Sequence, residues 1–168
     1  NKDFIKLCLN EKLSAEITLQ PLRRYKLDAS IIFSDILLVP MALGQDVRFK
    51  KDYGPILGDL DKEINVKKND FLEKLKPVYK SIKKVRQSKL STKKDLIGFV
   101  GAPWTLLVYM LNKKSPKRKI NSKDFNDNKL TSILVANLEK FLKIHIEQQI
   151  KNGATVIQIF DSWAGLVR

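Results

Sequence analysis

The strongest constraint on how this chain folds is a threefold alternation along its length. Short, continuous apolar runs at Ala29–Phe33, Leu96–Val100 and Val156–Phe160 are separated by longer segments whose apolar residues recur at helical spacing. A brief apolar run bounded by turn residues is the mark of a strand buried on both faces, as in parallel sheets. Asp70–Gln87 carries Phe71, Leu72, Leu75, Val78, Ile82 and Val85 as one helical stripe, with Pro77 inside it to bend the helix. Leu130–Asn152 is a second long amphipathic stretch, and Gly153 is placed as its stop. Pro103 suits the first turn of a helix running through Trp104–Leu111. Two further helices are expected at Lys2–Leu9 and Ser14–Lys26, with Ser14 as an N-cap and Pro21 as a kink. Residues 40–58, rich in Gly and Pro, read as an irregular excursion in which Val47–Phe49 pairs briefly, and Asn112–Asn128 reads as a polar surface loop. Helices alternating with buried strands predict parallel βα units.

Composition excludes several function classes. The 168 residues are 43% hydrophobic and 30% charged, which suits one globular domain rather than a disordered chain. The apolar runs all fall short of the roughly 18 residues of a membrane span, no secretory leader pattern opens the chain, and a cytoplasmic location is expected. The formal net charge of +14 admits a nucleic-acid, membrane or acidic small-molecule partner. The lysines, however, are spread over residues 62–68, 74–84 and 113–119 without interleaved aromatics, the pattern of solvated faces rather than of a base-stacking surface. Lysine outnumbers arginine, and Asn and Ile are frequent, as an AT-rich coding sequence would produce. Neither nucleic acid nor membrane is therefore the expected partner. Cys8 stands alone in an apolar helical stretch and reads as a buried filler. His145 is the sole histidine and lies mid-helix, so neither a Ser-His-Asp triad nor a transition-metal site is expected.

In parallel α/β architectures, sites assemble where the C-terminal ends of the strands converge. That rule selects Asp35, the Gly98–Trp104 turn and Asp161-Ser162 by position alone. A carboxylate such as Asp35, set among Phe33 and Ile36–Val39, reads equally as a general base, a stabiliser of positive charge, a helix cap or a loop ion-pair partner. Gly101-Ala102-Pro103 would let backbone approach a ligand closely, but it forms no phosphate-binding fingerprint. Trp104 and Tyr109, taken singly, read as packing residues.

Four segments together resemble the uroporphyrinogen decarboxylase family. They are Ile17-Thr18-Leu19-Gln20-Pro21-Leu22-Arg23-Arg24-Tyr25, Asp28 through Leu37, Gly98-Phe99-Val100-Gly101-Ala102-Pro103-Trp104-Thr105-Leu106, and Gln158-Ile159-Phe160-Asp161-Ser162-Trp163-Ala164-Gly165. Their order and spacing agree over essentially the whole chain. The resemblance implies a (β/α)8 TIM barrel, here a partial barrel of about three βα units forming a single domain over residues 1–168, cut at both ends. It implies a carboxy-lyase of haem biosynthesis that removes four acetate carboxylates from uroporphyrinogen to give coproporphyrinogen and carbon dioxide. It further implies a cytoplasmic homodimer with no metal and no organic cofactor. Carried over by the resemblance, Asp35 faces the pyrrole N–H groups and stabilises the cation, Tyr109 and Ser162 bind substrate, and Phe33, Phe99 and Phe160 form apolar walls. The family's upstream arginine segment and its late histidine have no counterpart here, and His145 does not match the latter, so the 168-residue piece alone is expected to be inactive. The rivals are a corrinoid-handling methyltransferase of the same barrel superfamily and a basic nucleic-acid-binding domain.

Overall fold

The computed structural model describes residues 3–61, 64–116, 125 and 127–166. Two helices open the chain, α1 (Phe4–Cys8) and α2 (Glu11–Arg24). The N-cap of α2 is Asn10, whose side chain accepts from the Lys12 and Leu13 N–H groups. This corrects the expectation for Ser14: it lies inside the first turns, and its burial frees its hydroxyl for a tertiary bond instead. Pro21 is tolerated three residues before the helix ends at Arg24, on an exposed face.

Strand β1 (Ala29–Ile31) leads into a short helix α3 (Leu38–Ala42) and a hairpin of β2 (Val47–Lys50) and β3 (Gly54–Leu57). The expected excursion is thus more regular than its Gly/Pro content suggests. Val47 pairs antiparallel with Leu57, and buried Gln45 donates to the Gly58 and Met110 carbonyls, which ties the excursion to the rest of the fold. Helix α4 (Lys68–Arg86) follows, then β4 (Asp95–Gly101), α5 (Pro103–Asn112), α6 (Asn128–Lys151), β5 (Val156–Phe160) and a 3-10 turn at Ala164–Leu166. Gly153 adopts φ +120°, the left-handed conformation that stops α6 and turns the chain into β5. Most of the expected polar loop between α5 and α6 lies outside the described residues, as does Lys2 in the first helix.

Strands β1, β4 and β5 form one parallel sheet in the order β1-β4-β5, so successive βα crossings add strands in one direction. That is the topology expected of consecutive barrel units. The helices α2, α4 and α6 cover one side. Phe71, Leu75, Ile82, Leu134, Leu138 and Phe141 are among the residues that close the core there. His145 is buried in the same layer, its Nδ1 3.0 Å from the Tyr79 hydroxyl and its ring edge-on to Phe71. Burial pushes its pKa down to about 4, so it packs as a neutral ring. Cys8 is fully buried, and desolvation, helped by the nearby Asp35 charge, raises its thiol to about 12. Both residues are structural, as their positions in apolar helical stretches predict.

Candidate active site at the strand ends

The Ile32 N–H still donates to the Ile97 carbonyl of β4 at 2.9 Å, and the next residue, Phe33, is held by side chains instead. The Phe33 N–H donates to Thr18 Oγ1 at 2.9 Å, and the Phe33 carbonyl accepts from Ser14 Oγ at 2.6 Å. Ser81, on α4, in turn donates to Ser14 Oγ at 2.8 Å. Ser14 and Thr18 stand one helical turn apart on the buried face of α2, so they reach the two backbone groups of one residue, Phe33, from one side. The chain therefore enters the Ser34-Asp35 segment from a fixed point.

Asp35 accepts a hydrogen bond from the Leu37 N–H at 2.8 Å. Burial is the dominant influence on its carboxyl and pushes the pKa up to about 6, against the opposing pull of that one backbone donor. Among the described ion pairs none involves Asp35. A carboxylate raised by desolvation at a strand end is poised to respond strongly to positive charge placed beside it.

The β4 end is equally constrained. The side-chain amide of buried Gln149 on α6 accepts from the Phe99 N–H and donates to the Phe99 carbonyl, both at 3.0 Å. Gly98 makes room for it, since a Cβ there would run into Gln149 Oε1. At Gly101 the space that a ligand was expected to use is filled from within: a Cβ would meet Leu106 Cδ2 at 2.8 Å and Ile36 Cδ1 at 3.2 Å. Gly101 thus lets α5 pack tightly under the residue next to Asp35, a use its sequence context did not reveal.

The loop after β5 is fastened to the first turn of α5. Thr105 Oγ1 donates to Asp161 Oδ1 at 2.7 Å and accepts from the Trp163 N–H at 3.1 Å, while Trp104 Nε1 donates to the Trp163 carbonyl at 3.0 Å. Tyr109, one turn further along α5, meets the Trp163 ring edge-on at a centroid distance of 6.1 Å. Ser162, exposed, sits between the two pinned residues.

The structure brings the expected residues into two groups at one end of the sheet. Phe33, Phe99 and Phe160 line a shared apolar cavity of about 440 Å³ together with Ile17, Pro21 and Ile31, and Phe99 and Phe160 touch edge-on at 5.6 Å. Tyr109 and Ser162 are joined through Trp163 and Thr105. Asp35 is not among the residues lining that cavity; its carboxylate meets the Leu37 N–H, its carbonyl accepts from the Leu38 N–H, and its charge acts on Cys8. Sequence reasoning missed Ser14, Thr18, Thr105 and Gln149. The signal available was a polar residue on an otherwise apolar helix face, as in the Ser14/Thr18 pair. No cluster of three or more His, Cys, Asp or Glu able to hold a metal occurs among the described residues.

The family described as uroporphyrinogen decarboxylase (URO-D) matches residues 1–168, the whole chain. The chain belongs to the uroporphyrinogen decarboxylase family. Similar relatives include the uroporphyrinogen decarboxylases of Rickettsia bellii, 41% identical over 99% of this chain and 50% of that protein, and of Campylobacter jejuni, 41% identical over 96% of this chain and 49% of that protein. The chain thus spans about half the length of the curated relatives it matches. A solved methyltransferase from Methanosarcina mazei superposes with a TM-score of 0.75 over 95% of this chain and 48% of its own, at 18% identity. That likeness establishes the fold alone: an α/β, partial TIM-barrel-like arrangement around a parallel sheet, which decarboxylases and methyltransferases share. The decarboxylase family match covers all four resembling segments.

Proposed function

We propose that the full-length protein to which this chain belongs is a uroporphyrinogen decarboxylase, and that residues 1–168 form one partial-barrel domain of it carrying Asp35, Tyr109, Ser162 and the Phe33, Phe99 and Phe160 walls. The observation that carries the proposal is the 41% identity over 99% of the chain to a decarboxylase relative, with the three resembling strand ends gathered at one end of a parallel sheet. The substrate is an acidic tetrapyrrole, which the net charge of +14 would help to attract. Assembly as a homodimer in the cytoplasm rests on the family resemblance; among the described residues no helix is long and apolar enough to cross a membrane.

The chemistry asks for an anion in a dry place. Protonation of a pyrrole carbon makes the ring an electron sink. The C–C bond to the acetate carboxylate then breaks, its electron pair flows into the ring, and carbon dioxide leaves. A second proton on the exposed methylene carbon, with loss of the first from the ring, leaves a methyl group. Asp35, desolvated and held by the Leu37 N–H, stabilises the cation without any reorganisation of solvent. Tyr109 and Ser162 hold the tetrapyrrole and its peripheral carboxylates, and the aromatic walls exclude water. The residues of this chain alone do not complete the site, because the family's arginine segment and late histidine lie outside it, so the isolated piece is inactive.

An anaerobic assay of the full-length protein with uroporphyrinogen, reading coproporphyrinogen after oxidation to the porphyrin, tests this. Wild type should convert the substrate fully, and Asp35→Ala should lose about 10²–10³ in kcat, the usual scale for removing a preorganised charge stabiliser. Because the anionic form is required, kcat/KM should fall as pH drops through about 6, the pKa to which burial raises Asp35. An unconverted substrate, or an Asp35→Ala variant as fast as wild type, would overturn the reading.

A further inference from the structure

The one buried hydroxyl of Thr105 makes contact on both sides of Ser162. Thr105 is fully buried, yet its Oγ1 serves as donor to Asp161 Oδ1 at 2.7 Å and as acceptor from the Trp163 N–H at 3.1 Å. These are the residues immediately before and after Ser162. The other bond to this loop, from Trp104 Nε1 to the Trp163 carbonyl, comes from the neighbouring residue of the same helix turn. One turn on, Tyr109 abuts the Trp163 ring. Thr105 and Tyr109 are four residues apart on α5, so they present one face of that helix to the loop after β5. The second residue of the loop is therefore set by the helix after β4, and Tyr109 and Ser162 are mechanically linked although they lie on different elements.

We propose that Thr105 is a positioning residue that sets the Ser162 loop against Tyr109 and so fixes where the substrate's carboxylates are received. This deepens, and rests on, the decarboxylase reading. The hydroxyl has two jobs. It supplies a donor to a carboxylate that would otherwise face an incoming anionic substrate with its charge unopposed, and it occupies a backbone N–H that would otherwise be free to rotate away. Valine matches the shape of threonine but offers neither the donor nor the acceptor, whereas serine keeps both and loses only a methyl group. A hydroxyl whose only role is packing would show the reverse ranking.

The test uses the full-length protein with Thr105→Val and Thr105→Ser. Thr105→Val is expected to raise KM for uroporphyrinogen about tenfold, the scale of losing one or two positioned hydrogen bonds, with kcat within about twofold of wild type. Hydrogen exchange of the peptide covering residues 158–166 should quicken at least about tenfold in Thr105→Val and stay near wild type in Thr105→Ser, because the Trp163 amide is itself one of the bonded groups. Thr105→Ser should also restore KM. The proposal fails if Thr105→Val keeps both wild-type KM and wild-type exchange, or if Thr105→Ser is as impaired as Thr105→Val. A wild-type protein that does not turn over the tetrapyrrole would sink the decarboxylase reading instead, while the exchange comparison would still decide whether the hydroxyl holds the loop.

Discussion

At the scale of single residues, Asp35 shows what a buried carboxylate costs the fold. Its pKa rises from 3.8 to about 6 because burial penalises the anion more than the Leu37 N–H rewards it. A folded-state pKa above the unfolded value means the native state is favoured most when the group is protonated. That contribution is complete below pH 3.8 and is lost as pH rises through about 6. Above that pH the ionised Asp35 destabilises the fold by up to about 3 kcal/mol. Asp35→Asn keeps an oxygen for the Leu37 N–H and removes the charge. It should therefore raise the melting temperature of the full-length protein at pH 7.5 and leave it nearly unchanged at pH 4, measured by scanning calorimetry, while lowering turnover on the same scale as Asp35→Ala. A loss of stability at pH 7.5 would mean that Asp35 has a compensating cation in the complete protein. A higher melting temperature for Asp35→Asn at pH 7.5 would fit the proposed role, a carboxylate kept at a cost in stability.

At the scale of elements, the helices do more than cover the sheet. Residues on α2 and α6 reach past the regular ladder and satisfy the backbone at Phe33 and Phe99, where the pairing of β1 has already ended. Between α4 and α6 the Tyr79–His145 contact works with the opposite sign to Asp35. The His145 pKa is lowered from 6.5 to about 4 by burial, so its neutral form carries stability that is present above pH 6.5 and is lost as pH falls through about 4. Replacing it by Gln, whose amide can either donate to or accept from the Tyr79 hydroxyl, should flatten the acid limb of stability between those pH values. Urea midpoints at pH 7 and pH 5 should draw together by an amount worth about 1–3 kcal/mol. If the two midpoints stay as far apart as in wild type, acid sensitivity resides elsewhere. Because Asp35 and His145 act in opposite directions over the same window, the two variants have to be measured separately rather than inferred from the wild-type curve.

At the scale of the whole molecule, the three-stranded sheet leaves apolar surface open. Ile31, Val156, Ile159 and Phe160 are among the exposed large hydrophobics, and among the described residues β1 and β5 each pair on one side only. Unpaired strand edges beside apolar side chains invite pairing with another chain. The 168-residue chain produced by itself should therefore self-associate, and light scattering on a size-exclusion column should show species larger than a monomer of 19.3 kDa. The full-length protein should show one defined species under the same conditions. A monodisperse monomer from the short chain would mean that these edges are protected in solution.

Much of this was legible in the chain itself, because local patterns report local physics. Apolar runs of strand length, helical stripes, Pro103 at a helix start and Gly153 at a helix end predicted β4, β5, α4, α5 and α6 to within a few residues. The resembling segments pointed to the family that the comparisons support. What the sequence could not announce was which polar residue would serve which backbone group. Ser14 looked like a helix cap because capping is a local bargain, whereas its partners, Phe33 and Ser81, lie 19 and 67 residues away. Gly101 looked like an opening for a ligand until Leu106 and Ile36 were seen to fill it. Thr105 stood out only as a polar residue on an otherwise apolar helix, and its partners are visible only once the loop after β5 is folded against it. The alternation of helices and strands follows from periodicity read along the chain, but hydrogen-bond partners are chosen by proximity across it, and only the packed tertiary structure brings those atoms within three ångströms or so of one another.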